Sequence, residues 1–302
     1  MNKHIRIGTR DSQLALWQAT TVKKALENLG YTTTLVPIKC DGDIILDKPL
    51  YELGITGVFT KTLDIAMLNG QIDIAVHSMK DVPTLLPKGI VQGAVLPRAT
   101  TEDVLVFTKK PDFTTVCTVA TSSLRRKAQW LHKYPKHKVV DLRGNVNTRL
   151  QKLEDNAWTG AIFAKAGLER IQLLPKNHLS LDWMLPAPAQ GAMMVVAMES
   201  DAFCRGALEK INDKETEICT TIERDFLRTL EGGCTAPIAA LATIDVDYIH
   251  FKGELLLPNG SKKVAIEKSV LIENHEGLGI ICANEVLGNG GATIMKKINA
   301  KK

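Results

Sequence analysis

Apolar and polar positions alternate along the chain in blocks that predict strands and helices in turn. Near the amino terminus, "IRIG" (5–8) is a short apolar run, residues 12–30 keep an apolar face at helical spacing, and 31–39 form a second apolar run. Ser12 is suited to cap the start of the helix, and Gly30 is suited to end it. The order strand, helix, strand indicates a β-α-β unit and therefore a parallel sheet.

The same alternation continues through most of the chain. A helix at 58–70 leads to a strand at 72–77, and a second series of such units occupies 118–171. From residue 214 the pattern becomes one helix, three long strands joined by a "PNG" turn, and a closing helix near 277–287. These blocks predict an α/β protein with two domains of mainly parallel sheet and a smaller C-terminal α/β domain with an antiparallel sheet.

A chain of 302 residues is longer than one hydrophobic core usually supports, so several domains are expected. The predicted division gives a discontinuous first domain of residues 1–96 and 193–212, a second domain of 97–192, and a third of 213–302. The segment 185–198 contains a turn and an apolar strand, and we expect it to return the chain to the first domain.

The composition excludes several classes of protein. With 45% hydrophobic, 24% charged and 5% aromatic residues, the chain is that of a globular and mostly aliphatic protein. No apolar run approaches the length that spans a bilayer, and the amino terminus lacks the apolar core of a signal peptide, so a cytoplasmic protein without a membrane partner is expected. The six cysteines are widely separated and lack close histidine partners, which argues against a disulfide framework or a metal site.

Cationic and polar side chains recur where the predicted strands end, the edge at which open parallel sheets bind ligands. The residues at these positions are Thr9, Arg10, Asp11, Ser78, Lys80, Asp81, Ser122, Ser123, Arg125, Arg126, Arg143 and Arg149. The net charge of +5 alone does not separate nucleic acid from an acidic small molecule. Nucleic acid is the poorer fit, because it calls for a contiguous basic stripe and exposed aromatics. Since the planar fork of arginine suits carboxylates, we expect a ligand with several carboxylates.

Arg125 and Arg126 fall in the first turn of a predicted helix, where the partial positive charge favours acidic residues. An anion held by both guanidinium groups, the Ser122 and Ser123 hydroxyls and the helix amino terminus explains this placement. The alternative is that each arginine simply faces solvent.

Two further side chains are candidates for chemistry. Asp81 lies in "HSMKDVP", where Lys80 and the arginines are expected to keep it ionised, so that it could stabilise a cationic intermediate. The alternative for Asp81 is a turn residue, and His77 is expected to be a buried core or supporting residue. Cys234 follows two glycines in "EGGCTAP", which leave space around the sulfur for a nucleophile or an attachment point. The alternative for Cys234 is a buried structural thiol.

Six motifs, in order, resemble the porphobilinogen deaminase (hydroxymethylbilane synthase) family: "IGTRDSQLALWQA", "DIAVHSMKDVPT", "ATSSLRRKAQ", "DLRGNVNTRL", "AGLERI" and "LEGGCTAPI". The resemblance covers residues 4–240 and continues more loosely to the end. It implies two domains like periplasmic binding proteins around a cleft, and a third domain that bears a cofactor. It also implies a transferase that condenses four porphobilinogen molecules head to tail, releasing ammonia each time, to give 1-hydroxymethylbilane for haem and related pigments.

The same resemblance implies roles for individual residues. A dipyrromethane cofactor would be joined to Cys234 through a thioether, and catalysis would depend on Asp81, which would contact pyrrole nitrogens and stabilise the cationic azafulvene left after ammonia departs. The residues implied in binding cofactor and substrate are Arg10, Ser12, Phe59, Lys80, Thr121, Ser123, Arg125, Arg126, Arg143, Arg149, Arg170 and Gln190. The expected partner is the small molecule porphobilinogen, and the expected state is a monomer without a metal or nucleic acid.

Some positions depart from the family pattern. The departures are Glu52 and Thr56 in place of frequent lysines, Thr62 and Asp64 in place of glutamates, Ala189 in place of a glycine, and Lys165 as an added charge. Most of them lie in a segment expected to act as a lid. Two other functions stay open: a two-lobed binding protein, which has no need of Asp81 or the "GGC" motif, and an inactive relative that binds dipyrroles without elongating them.

Overall fold

The computed structural model describes residues 4–39, 60–230 and 236–300. The positions discussed above that lie outside the described residues are Glu52, Thr56, Phe59 and Cys234. What the sequence predicts for these four positions stays a prediction.

The described residues form strands and helices in the alternation that the sequence predicts. The strands are β1 (Ile5–Arg10), β2 (Thr33–Ile38), β3 (Ile74–Ser78), β4 (Ile90–Leu96), β5 (Asp103–Val106), β6 (Thr118–Ala120), β7 (Lys138–Val140), β8 (Gly160–Ala164), β9 (His178–Ser180), β10 (Met193–Met198), β11 (Ile238–Asp245), β12 (Tyr248–Leu256) and β13 (Lys263–Leu271). The helices are α1 (Gln13–Asn28), α2 (Lys61–Leu68), α3 (Leu124–Lys133), α4 (Val146–Asp155), α5 (Lys165–Arg170), α6 (Ala202–Glu209), α7 (Lys214–Thr229), α8 (Leu278–Val286) and α9 (Ala292–Asn299). In this part of the chain, no helix combines the length and apolar character that crossing a membrane requires.

Three sheets organise these elements. The first has the strand order β2-β1-β3-β10-β4, and the second has the order β7-β6-β8-β5-β9. In each, the first three strands are mutually parallel, the fourth is antiparallel to its neighbours, and the fifth therefore runs with the first three. The third sheet, β11-β12-β13, is antiparallel throughout. The predicted α/β class, with two mainly parallel sheets and a C-terminal antiparallel sheet, is confirmed.

The first helix forms as its sequence indicates. The Ser12 hydroxyl accepts a hydrogen bond from Ala15 N at 3.4 Å and so caps α1. The apolar stripe that includes Val22 and Leu26 is fully buried against the first sheet. Gly30 follows the helix with φ of 86°, a left-handed conformation that glycine adopts without strain. Both predicted boundary residues are confirmed.

Three strands, β4, β5 and β9, were not predicted from the sequence. β4 and β5 fall in the region 92–101 and just beyond it, where the pattern changes without a clear period. All four residues of β5 are buried, and its two neighbours β8 and β9 come later in the chain. A short run buried on both faces has no alternation to identify it as a strand, so only the tertiary structure assigns it.

The C-terminal sheet forms a core with the last three helices. Alternate residues of β12, including Ile249 and Phe251, are buried, and their neighbours are more exposed. Phe226 on α7 meets Phe251 edge to face, with ring centroids 5.1 Å apart. Leu278 and Val286 on α8 are buried in the same cluster.

The described residues divide into two compact units. The first contains residues 4–39, 60–99 and 191–217, and the second contains residues 100–190, 218–230 and 236–300. The segments predicted as second and third domains therefore share one unit. The three-domain division with its boundaries stays a prediction.

A close backbone contact joins two parts of the second unit. Gly260, in the "PNG" turn between β12 and β13, lies against α3, where His132 Nδ1 donates a hydrogen bond to Gly260 O at 2.8 Å. A Cβ atom at Gly260 would lie 2.5 Å from His132 N and 2.7 Å from Ala128 O. The turn of the antiparallel sheet is thus seated directly on the helix that carries Arg125 and Arg126.

We expect Gly260→Ala to lower the free energy of unfolding of the second unit by about 2–4 kcal/mol, since the methyl group meets backbone atoms and φ is 72°. Gly277→Ala is the matched control, because Gly277 has φ of 70° but open space at its Cβ position. Urea unfolding of both variants separates the contact from the backbone strain. Equal losses in the two variants would contradict the importance of the contact.

Candidate ligand site at the strand ends

Asp81 and Lys80 lie on a 3-10 turn that directly follows β3, at the carboxyl end of the first sheet. The parallel neighbour of β3 is β1, which ends in Arg10, so Arg10 lies at the same edge. Met79 begins the turn, is buried, and donates its N–H to Ala192 O at 3.1 Å. This anchor holds the turn to the sheet. The Asp81 side chain is exposed, whereas Lys80 and Arg10 are half-buried.

Gln18 supports this edge from the helix side, and the sequence reasoning did not single it out. It is buried on α1, and its Nε2 donates to the hydroxyl of Ser78, the last residue of β3, at 2.9 Å. The sequence does contain a sign of this role: Gln18 lies on the apolar stripe of α1 between Ala15 and Ala19, and a buried amide needs a polar partner. Ser12, predicted to bind ligand, is half-buried at the start of the same helix.

His77 is buried at the end of β3, in agreement with the core role expected for it. Burial, together with the positive charge of Arg10, lowers the pKa of His77 from its ordinary value of 6.5 to about 4. His77 is therefore neutral at physiological pH. Its Nε2 has no hydrogen-bond partner among the residues that the structure describes.

The lowered pKa of His77 predicts an acid-sensitive fold. The unfolded chain takes up the proton first, so this stabilising contribution is complete above pH 6.5 and is lost as the pH falls toward 4. Between pH 7 and pH 5 we expect a loss of about 2 kcal/mol in the free energy of unfolding. His77→Gln should lose this part of the pH dependence in urea unfolding at the two pH values. An unchanged pH dependence in that variant would contradict the assignment.

In the second sheet, an acidic residue, Asp103, lies at the edge where the parallel strands end. Asp103 begins β5 and pairs in register with Ala164, the last residue of the antiparallel neighbour β8. Arg125 and Arg126 occupy the first turn of α3, just after β6. Asp103 is 0% exposed, Arg125 is 5% and Arg126 is 6% exposed. Three charged side chains are therefore buried together.

Asp103 joins the two arginines directly. Arg126 donates to Asp103 Oδ1 from Nε at 3.1 Å and from Nη2 at 2.7 Å, and Arg125 Nη1 forms an ion pair with Asp103 Oδ2 at 2.7 Å. Burial alone would raise the pKa of Asp103, but the charges and hydrogen bonds of the two arginines hold it well below its ordinary value. Burial lowers the pKa of Arg125, and the charge of Asp103 opposes that change.

The structure gives these arginines an internal partner that the sequence did not predict. The anion that contacts both is Asp103, a carboxylate of the chain itself, and neither arginine simply faces solvent. The Ser123 hydroxyl caps α3 by accepting from Arg126 N at 3.4 Å, and the Ser122 hydroxyl accepts from the Leu142 N–H at 2.8 Å. These hydroxyls therefore complete the local fold, and a further role of Ser123 toward a ligand stays a prediction.

Gln190 and Thr121 belong to the same buried region. Gln190 donates from Nε2 to Thr101 O at 2.7 Å and to Asp103 Oδ1 at 3.0 Å, while its Oε1 accepts from Arg125 Nη2 at 3.4 Å. The Thr121 hydroxyl accepts from the N–H of its second neighbour at 3.2 Å and is buried. Four of the predicted binding residues, namely Thr121, Arg125, Arg126 and Gln190, thus lie at one edge of the second sheet.

Ala189, where the family pattern has glycine, has φ of 61°, and the left-handed region favours glycine. Its N–H donates to Glu223 Oε2 at 2.6 Å, and Glu223 Oε1 accepts from Ala242 N at 2.7 Å. Glu223 is fully buried on α7 and ties the 185–192 segment to β11. Glu223 was not predicted from the sequence. An acidic residue between Ile222 and Phe226, on the apolar face of α7, indicates a buried carboxylate with internal partners.

The remaining predicted cations of the second sheet follow its strands β7 and β8 in the chain. Arg143 follows β7 and is buried, which lowers its pKa, while the nearby Asp141 opposes that change. Arg149 is half-buried on α4 and donates from Nε to Gly144 O at 2.7 Å. Arg170 ends α5, and burial lowers its pKa.

Three of the departures from the family pattern lie within the described residues besides Ala189. Thr62 is half-buried and Asp64 is buried on α2, where burial raises the pKa of Asp64 and a hydrogen bond from Thr60 opposes that change. Lys165 begins α5 and pairs with Glu102 at 2.9 Å between Nζ and Oε2. The added charge of Lys165 is therefore matched by an internal partner.

Two mixed sheets with cations at their carboxyl ends define an α/β protein suited to anionic small molecules. Residues 5–205 match the family "Porphobilinogen deaminase, dipyromethane cofactor binding domain", and residues 217–288 match "Porphobilinogen deaminase, C-terminal domain". The chain belongs to the porphobilinogen deaminase family.

Individual relatives agree with this membership. A porphobilinogen deaminase of Campylobacter hominis is 39% identical, covering 98% of this chain and 98% of the relative. One of Moorella thermoacetica is 41% identical, covering 98% and 97%. A chloroplastic porphobilinogen deaminase of Oryza sativa is 44% identical, covering 85% and 75%.

Among solved structures, an ancestral cationic amino acid solute binding protein matches with 15% identity and a TM-score of 0.43, covering 68% of this chain and 87% of that chain. A probable amino-acid ABC transporter extracellular-binding protein of Bacillus subtilis matches with 11% identity and a TM-score of 0.43, covering 70% and 90%. At that level of similarity, neither match bears on the chemistry of this chain.

Proposed function

We propose that this chain is a hydroxymethylbilane synthase. It joins four porphobilinogen molecules head to tail on a dipyrromethane primer held by Cys234, releases ammonia at each step, and frees 1-hydroxymethylbilane by hydrolysis. The observation that carries the proposal is the set of cations, together with the exposed Asp81 carboxylate, at the strand ends of a chain of this family.

The residues of the second sheet edge fit a carboxylate-rich primer and product. Each pyrrole of the growing chain brings an acetate and a propionate group, so the site needs more positive than negative charge. The cluster of Arg125, Arg126 and Asp103 keeps a net positive charge, and Arg143 and Arg170 follow the two parallel neighbours of β6 in the same sheet, β7 and β8. Buried guanidinium groups interact with such anions more strongly than solvated ones, because the surrounding dielectric constant is low.

Dipyrromethane, when bound, supplies the pyrrole carbon to which the first substrate is joined. Asp81 is assigned to the chemical step. Its carboxylate is exposed on a turn that Met79 anchors, so it is able to contact a bound pyrrole. Loss of ammonia from the aminomethyl group leaves a cation on the substrate, and a fixed carboxylate stabilises that charge as it develops. Lys80 and Arg10 are assigned to substrate carboxylates.

The proposal includes a monomer that acts in the cytoplasm. Light scattering after gel filtration tests the monomer, and a mass of twice the chain would contradict it. The proposed partner is porphobilinogen alone.

Purified protein from cells that make tetrapyrroles should carry the mass of two linked pyrroles and give the colour reaction of pyrroles with acid dimethylaminobenzaldehyde. Cys234→Ala should lose both signals, because the thioether needs the sulfur. Intact mass spectrometry makes the measurement. The variant keeps the buried thiols Cys117, Cys204, Cys219 and Cys282, so a persisting adduct would move the attachment elsewhere.

A porphobilinogen consumption assay on the same protein separates the remaining alternatives. An adduct with turnover supports the synthase. An adduct without turnover indicates the inactive relative, and neither signal indicates a binding protein. If the adduct forms without turnover, Thr62→Glu and Asp64→Glu are the substitutions to test, because both positions lie within the described residues and carry glutamate in the family pattern.

A further inference from the structure

We propose that Asp103 is a positioning residue for carboxylate binding, since it fixes Arg125 and Arg126 side by side at the carboxyl end of the second sheet. Nothing in the family resemblance singles out Asp103. The inference rests on the proposed function only for the identity of the ligand, a pyrrole with acetate and propionate groups.

The first support is the way in which Asp103 reaches the site. The strands β6 and β8 end at this edge, and the chain after β6 leads into Arg125 and Arg126. β5 runs in the opposite direction, so its first residue, not its last, lies beside the end of β8. The antiparallel strand β5 thus places the Asp103 carboxylate at the edge where the cations of this mostly parallel sheet lie.

The second support is the geometry of the guanidinium groups. Arg126 donates from Nε and Nη2 to Asp103 Oδ1, and its Nη1 donates to Ile162 O at 2.9 Å. Arg125 contacts Asp103 Oδ2 through Nη1, which also donates to Leu185 O at 2.8 Å. Each arginine is therefore restrained by Asp103 and by a backbone carbonyl. Such restraint removes the rotamer freedom that a long side chain otherwise loses when a ligand binds.

The third support is the charge that remains. Two guanidinium groups and one carboxylate leave one net positive charge in a buried cluster, and burying an uncompensated charge is costly. Glu254 also acts on Arg125 electrostatically, but its carboxylate is paired with Lys263 at 3.0 Å. Arg125 Nε has no hydrogen-bond partner among the residues that the structure describes. A ligand carboxylate at this edge would offset the remaining charge.

Asp103→Asn distinguishes positioning from two simpler roles. If Asp103 only competed with the ligand for the arginines, removing its charge would tighten binding of an anion. If Asp103 only stabilised the fold, the folded variant would bind as the wild type does. Positioning predicts weaker binding despite the added positive charge, by about tenfold or more, which corresponds to losing one charge-assisted hydrogen bond.

The probe is a pyrrole that carries acetate and propionate groups but no aminomethyl group, so it cannot react. Its dissociation constant is measured by calorimetry with the full chain as purified, for the wild type and Asp103→Asn, with near-ultraviolet circular dichroism to show that each is folded. Asp73→Asn is the matched control, because Asp73 also pairs with an arginine, Arg6, at the other end of β1. Asp73 accepts from Arg6 Nε at 3.0 Å, from Nη2 at 2.7 Å and from the backbone N–H at 2.7 Å. The Asp73→Asn variant should bind the probe as the wild type does.

Asp103→Glu keeps the fold testable if the asparagine variant does not fold. It retains the negative charge but moves the carboxylate by one methylene, and we expect binding weakened by about threefold or more. Unchanged or tighter binding in a folded Asp103 variant overturns the proposal, as does a wild type that does not bind the probe. A further outcome is a wild type that binds the probe but does not turn over porphobilinogen, with Asp103 variants that bind the probe more weakly. That outcome would support this inference and contradict the proposed synthase.

Discussion

Asp81→Ala is expected to lower the turnover of porphobilinogen by about a thousandfold or more, because it removes the carboxylate assigned to the developing cation. The side chain is exposed and the turn is anchored through the backbone of Met79, so the fold should not depend on it. The free energy of unfolding should change by less than about 0.5 kcal/mol. The measurement is porphobilinogen consumption at saturating substrate, together with urea unfolding.

Glu199→Ala is the control for Asp81→Ala, since Glu199 is also exposed but directly follows β10, at the opposite edge of the first sheet. It should retain turnover within about twofold, as surface substitutions away from the chemistry do. If Asp81→Ala retained normal turnover, Asp81 would be a turn residue only.

Glu223→Ala is expected to lower the free energy of unfolding by about 3–5 kcal/mol, because two buried N–H groups would each be left without their acceptor. The two Glu223 oxygens accept from Ala189 N at 2.6 Å and Ala242 N at 2.7 Å, and both N–H groups would lose this acceptor. Ala189 is also held at φ of 61°, so the segment before Gln190 should relax when the hydrogen bond is lost. Urea unfolding measures the loss.

Glu215→Ala is the matched control for Glu223→Ala, because Glu215 lies on the same helix but is exposed. Its effect should stay within about 0.5 kcal/mol. A loss of similar size in both variants would mean that helix α7, not the carboxylate network, determines the effect. Restoring glycine at position 189 in the Glu223→Ala background should recover part of the loss if backbone strain contributes.

Features that depend on local sequence were predictable. The cap at Ser12, the stop at Gly30 and the strand that precedes Asp81 follow from neighbouring residues, and the structure has each of them. The placement of cations at strand ends was also predictable, since a parallel sheet brings those ends to one edge whatever the details of packing.

Features that depend on distant partners were not predictable from one sequence. Asp103 lies 22 and 23 positions before the arginines that it contacts, and a strand too short to show a period carries it. The arginines were therefore interpreted as facing an external anion, although an internal carboxylate already contacts them. Ala189 likewise gives no sign in the sequence of its left-handed backbone, apart from the glycine usual in the family pattern.

The position of β10 has a consequence for synthesis on the ribosome. β10 lies between β3 and β4, yet it is made only after all five strands of the second sheet, the last of which ends at Ser180. In the growing polypeptide, the second sheet is therefore able to form while the first sheet still lacks β10, so the edges of β3 and β4 that β10 covers are unpaired. Open edges pair readily with other chains. A nascent chain that terminates between residues 181 and 192 would thus carry one finished sheet and one prone to aggregation.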